Sequence, residues 1–260
     1  CVTCHDPHSV AEGANATTGS SPQLRLEGKV TMPNGVTVDA HESALCVTCH
    51  ANRRDAKYKE DFIAGKYTRG VHGNTQADVY YGVGAFDYGK KLSNSPHQAV
   101  VEEACIQCHM YTTARAGSAE SGGHTWSMRS AAGVENVASC NQAGCHVGLT
   151  SFDKPAYNDY DGNGKVEGVQ TEATGLLNVL AAKLPKDPAT GDVLSYPINA
   201  TNTNEAQRKA LWNYWLIRND GSKGIHNTRF AVQLLQTTYK NLTGSDVPNA
   251  TILSVAGSEA

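Results

Sequence analysis

The chain has 260 residues, 40% hydrophobic and 7% aromatic, with 22 basic and 25 acidic side chains and a formal charge of -3. That length admits one large domain or two small ones, and a mean hydropathy of -0.41 leaves thin material for a core. No run approaches the roughly 18 apolar residues that cross a bilayer, and scattered, nearly balanced charges exclude the basic footprint of a nucleic-acid binder.

In chain order, the first element is Cys1-Val-Thr-Cys4-His5, with His8 three residues later. His41 precedes a second copy, Cys46-Val-Thr-Cys49-His50, and His72 stands alone after it. Ser95 and Pro96 are a helix start signal ahead of His97, and residues 98–110 read as one helix carrying Cys105-Ile-Gln-Cys108-His109. His124 sits behind Gly122 and Gly123, before Cys140-Asn-Gln-Ala-Gly-Cys145-His146. The stretches between these motifs are rich in Gly, Ser, Thr, Asn and Tyr and lack sustained periodicity, so loops are expected there.

After residue 150 the texture changes. Asp159, Asp161 and Asn163 with Gly164 at the sixth position, then Lys165 and Glu167, resemble the first half of a calcium loop; Gln170 stands where the bidentate Glu belongs, so a calcium site needs Glu167 or Glu172 as a substitute, and a tight Asp-Gly turn is the alternative reading. A helix is expected over 171–184 through Leu176, Leu177, Leu180 and Leu184. Asn204 and Gln207 form a capping-box pattern ahead of Leu211, Trp212, Trp215 and Leu216. Both tryptophans are expected to pack rather than relay electrons. His226 and Asn227 precede a last helix with Phe230, Leu234, Leu235 and Thr238 on one face. Residues 241–260 read as a polar tail, disordered or docked on a partner.

All eight cysteines fall in the four motifs, and each motif ends in His. With ten His in the chain, chance gives four of four on the order of once in a few hundred thousand. Two thiols a short turn apart can add across the two vinyl groups of one haem, and the adjacent imidazole then lies beneath the iron. The fourth motif has a longer arch that still permits two thioethers. Disulfides between such close neighbours are strained and leave the histidines unexplained. Zinc wants Cys4 or Cys2His2 sets, which four separate units do not assemble naturally.

The expectation is therefore four haems c, anchored by Cys1, Cys4, Cys46, Cys49, Cys105, Cys108, Cys140 and Cys145, with His5, His50, His109 and His146 as proximal iron ligands. Six histidines remain for four sixth positions. His8, His97, His124 and His226 rank first as distal ligands, and His72 and His41 second. His8 is too near His5 to pass round the rim of the same haem, so it must reach a different one, in this chain or another subunit. His124 has enough chain on both sides to swing over the third or fourth haem. The expected fold is a multihaem cytochrome c, mostly coil with a few α-helices wrapped round a stacked haem array and little β. Residues 1–150 form the haem-binding segment and 151–260 a cysteine-free, partly helical segment packed on it as one continuous unit.

With four motifs, the longer final arch, CHDPH at the first, CHM at the third and SKGIHN near the end, the sequence resembles the extracellular tetrahaem, filament-forming cytochromes of metal-reducing microbes. The resemblance implies bis-histidine haems in closely stacked pairs, identical subunits as partners in a filament, and electron delivery to external acceptors. It also implies that the His three residues after a CxxCH, here His8, ligates a haem of the adjoining subunit. The chain opens without a charged-then-apolar leader, so an export signal is expected to have been removed or left out. A monomeric periplasmic or surface shuttle is the alternative reading. A multihaem reductase is disfavoured because six spare histidines compete for four open positions and no CxxCK motif is present.

Overall fold

The computed structural model describes residues 1–6, 24–112 and 121–255. Among these, structure is mainly helix and coil, with one two-stranded antiparallel sheet of β1 (Lys29–Thr31) and β2 (Thr37–Asp39). Val30 pairs with Val38, and the turn closes through the Gly35 N–H on the Met32 carbonyl at 2.8 Å. The hairpin lays Val30 and Met32 under α1 (Ala44–Cys49), where Ala40, Ala44, Val47, Ala51 and Ala77 complete a small apolar cluster. Burying Ala44 and Val47 turns Cys46 and Cys49 to the other side of α1.

The larger core is made by the C-terminal helices. Helices α2 (Ala56–Ile63) and α3 (Gln76–Tyr81) pack against α7 (Glu205–Asp220), which also meets α6 (Val169–Ala181) and α8 (Thr228–Thr243). Phe62, Leu176, Leu180, Leu211, Trp212, Leu216, Phe230, Leu234 and Leu235 are fully buried there. Starts are fixed by side chains: the Asp55 carboxylate accepts from the Tyr58 N–H, Asn204 and Gln207 form the expected capping box, and Asn227 caps α8 through the Phe230 N–H. Helix α3 stops at Gly82, whose φ of 68° is a left-handed conformation that favours glycine, with the Asn94 side-chain oxygen close beside it.

Three expectations are corrected. The single helix over 98–110 is two short ones, α4 (His97–Val100) and α5 (Ala104–His109). The break arises because Glu103 is drawn onto the 41–43 turn: its carbonyl accepts from Ser43 Oγ at 2.6 Å and its carboxylate from the Glu42 N–H at 3.1 Å, leaving Ala104 at φ 44°. The tail does not await a partner as far as residue 254. Gln236 donates to the Thr251 carbonyl and accepts from the Leu253 N–H, and Gln233 donates to the Ser254 carbonyl, so this stretch lies along α8. The helix predicted over 171–184 starts two residues earlier and ends at Ala181.

Asp78 in α3 ties the two clusters together, accepting the Asn52 N–H at 2.6 Å and the Asn34 side-chain amide at 3.1 Å. Burial pushes its carboxyl up from 3.8 to about 6 despite those donors. A raised carboxyl favours the fold fully below its unfolded pKa, and that contribution is lost as pH climbs through the folded value. The stability advantage of wild type over Asp78→Asn, read from denaturant melts, is expected to shrink by on the order of 1–3 kcal/mol between pH 4 and 7. An advantage independent of pH refutes the assignment.

Candidate functional site

The four Cys-His motifs share one backbone closure. The His50 N–H bonds the Cys46 carbonyl at 2.7 Å as α1 ends, and the His5 N–H bonds the Cys1 carbonyl at 2.9 Å. In the longer fourth motif, which follows a 3-10 turn at Val137–Ser139, the His146 N–H still reaches the Cys140 carbonyl at 3.1 Å. Gly144, at φ 82° with open space beside it, lets the two extra residues bow outward. Cys105, Cys108 and His109 lie on α5. In each motif the histidine is thus held by a local turn just beyond the second cysteine.

The second, third and fourth motifs lie near one another. Cys46 and Cys105 are hydrogen-bonded through their thiols, which draws Cys46 down to about 7 and, together with burial, raises Cys105. Burial pushes Cys108 up to about 11, with Cys140 and Cys145 near enough to add to it. No two of the eight cysteines are joined as a disulfide.

Three motif histidines face a second imidazole. Ring centroids lie 6.1 Å apart for His5 and His124, 5.9 Å for His97 and His146, and 6.1 Å for His109 and His226, with interplanar angles of 44°, 84° and 50°. An imidazole nitrogen bonds a transition metal at about 2 Å and sits roughly 1.1 Å from its own ring centre, so two imidazoles trans on one metal have centroids roughly 6 Å apart. The three spacings fit that arrangement.

The tautomers also fit. His109 Nδ1 lies 2.9 Å from the Trp126 carbonyl, and His50 Nδ1 lies 3.2 Å from Gln76 Oε1. Carbonyl oxygens only accept, so Nδ1 carries the proton and Nε2 keeps its lone pair for a metal. His226 Nδ1 meets Asp220 Oδ1 at 2.5 Å. Burial opposes the His226 charge, but the Asp220 carboxylate outweighs it and holds the imidazole above the usual histidine range. Burial and the nearby His146 lower His97, although its ring hydrogen-bonds the backbone at Ile225 and His226.

These partners refine the sequence expectations. His97, His124 and His226 each face a motif histidine, but His124 faces that of the first motif rather than the third or fourth, because the Gly122–Trp126 turn projects it toward the N-terminus. His8 lies outside the described residues. His41 is exposed beside Asp39, and His72 has its Nδ1 buried without a hydrogen-bond partner while its backbone N–H donates to Asn52. Among the described residues His50 is the motif histidine without a facing imidazole. Gln76, Asp220 and the Trp126 carbonyl carry no motif signal and were not foreseen. They reach the histidines only through the fold.

The acidic loop is rearranged relative to the expected calcium pattern. Asp159, Asp161 and Glu172 bring carboxylate oxygens within 4.8 Å of one another, a grouping suited to a hard cation. Glu172, fully buried on α6, replaces Glu167, which accepts from the Asn163 side chain at 2.7 Å. Asn163 Oδ1 accepts from the Lys165 N–H. Burial and the two neighbouring acids raise Asp161.

No protein-family model, curated protein or solved structure matches this chain. Among the described residues, no helix is long and apolar enough to cross a membrane.

Proposed function

We propose that the protein is an electron-transfer subunit that binds four haems c through its Cys-His motifs and polymerises with identical copies outside the cell to conduct electrons to external acceptors. The observation that carries this reading is the set of three imidazole pairs near 6 Å, each containing one motif histidine. The bound haem supplies reversible one-electron chemistry at iron. The chain does the rest. Eight thiols would anchor the groups, and His5 with His124, His146 with His97, and His109 with His226 would hold three of the irons. Irons held from both sides would suit electron transfer and would offer no substrate site, which disfavours a reductase. A structural calcium ion at Asp159, Asp161 and Glu172 belongs to the same reading.

For His50 the sixth ligand in this reading is His8 of a neighbouring subunit. His72 favours a second reading, a monomeric shuttle: its Nδ1 is buried without a partner and its N–H bonds Asn52, two residues beyond His50.

Intact-mass and absorption measurements on protein made in a haem-attaching host are expected to show four covalent haems, all low-spin, and electron microscopy to show filaments. Protein without covalent haem overturns the cytochrome reading. His8→Ala is expected to abolish filaments and open one haem. If His72→Ala opens it instead, in a protein that stays monomeric, the shuttle reading replaces the filament.

A further inference from the structure

The acceptors behind the axial histidines differ in charge. His50 Nδ1 meets a neutral side-chain amide and His109 Nδ1 a backbone carbonyl. His226 alone of these meets a carboxylate. Asp220 is the last residue of α7, with its side chain fully buried. Three donors converge on it: His226 Nδ1 on Oδ1, and the Ser222 N–H at 3.2 Å and the Ser222 hydroxyl on Oδ2. A carboxyl that only accepts is ionised, so a full negative charge lies against the outer nitrogen of this imidazole. Gly221, at φ 73°, turns the chain so that Ser222 and His226 fold back over the helix end. Gln76 secures the same end from α3, donating to the Asn219 and Asp220 carbonyls while its Oε1 holds His50.

We propose that Asp220 is the positioning residue that lowers the potential of the His109–His226 site. The inference rests on the tetrahaem reading. A charge-assisted hydrogen bond draws the Nδ1 proton toward the carboxylate and makes the coordinating nitrogen a stronger donor, which stabilises the oxidised metal. The step concerned is one electron onto that iron and off it again, with no bond made or broken. Gln76 couples the device to the neighbouring site by bridging the Asp220 backbone and His50.

The test is spectropotentiometric titration of the full tetrahaem protein, with dithionite as reductant and ferricyanide as oxidant. Asp220→Asn preserves the shape and one acceptor but removes the charge. It is expected to make one haem, that of the His109–His226 pair, about tenfold easier to reduce, a shift of about 59 mV for a one-electron couple, with the other three little changed. Ser222→Ala keeps the charge but withdraws the competing hydroxyl, so it is expected to shift the same haem in the opposite direction. A loss of packing alone does not produce opposite signs. If Asp220→Asn does not fold, the Ser222→Ala shift alone decides. Four attached haems with unchanged potentials in the folded variants overturn the role of Asp220 and leave the cytochrome reading standing. Absence of covalent haem in the wild type overturns both.

Discussion

If the chain holds four haems as proposed, His97→Ala, His124→Ala and His226→Ala are each expected to convert about a quarter of the haem absorption from low-spin to high-spin, because each would leave one iron with a single imidazole. The expectation follows from pairing. His97 faces His146, His124 faces His5, and His226 faces His109, at 5.9 to 6.1 Å. Three separate quarters should therefore respond, and the double variant of His97 and His124 should lose two. Added imidazole is expected to restore the low-spin spectrum, which distinguishes a missing ligand from a collapsed fold. His41→Ala is expected to change nothing, since that residue is exposed beside Asp39 and faces no imidazole among the described residues. A His124→Ala protein with four low-spin haems refutes the pairing.

Trp212→Ala is expected to destabilise the fold by about 3–5 kcal/mol in denaturant melts. Trp212 is 1% exposed. It packs on Phe62 with ring centroids 5.5 Å apart and donates from Nε1 to the Gly84 carbonyl at 2.9 Å. Truncation opens a cavity between α2 and α7 and orphans a carbonyl in the same place. Trp212→Phe keeps most of the packing and loses only the donor, so about 1–2 kcal/mol is expected for it. A loss below 1 kcal/mol for the alanine variant contradicts the placement of the core. Trp215 likewise donates to the Leu194 carbonyl, so both indoles have the packing roles expected of them.

Helix starts and the C-terminal core were legible because their causes are local. Asn204 and Gln207 make the same capping box whatever surrounds them, and the 3.6-residue spacing of Leu176, Leu180, Leu211 and Leu216 already marks a buried face. The turn that sets each motif histidine just beyond its second cysteine is local as well. What escaped was long-range. The split at residues 101–103 depends on Ser43 and Glu42, some sixty positions away. The partner of His124 depends on where the Gly122–Trp126 turn is carried by the rest of the molecule. Asp220 and Gln76 are unremarkable polar residues until α3 and α7 meet.

The distance along the chain between facing histidines has a consequence for the unfolded protein. A metal bridging each pair would close loops of about 120, 50 and 120 residues, and in the chain-entropy limit a permanent link of that span removes roughly 4 to 5 kcal/mol of unfolded-state freedom. The three loops overlap, since 5–124 contains 97 and 109, while 97–146 and 109–226 interlock with it. Such a chain, once its links are made, can no longer expand in one part without pulling on the others. Resistance to unfolding then becomes a property of connectivity as much as of packing, and a 260-residue polypeptide with modest apolar content gains cohesion that its side chains alone do not supply.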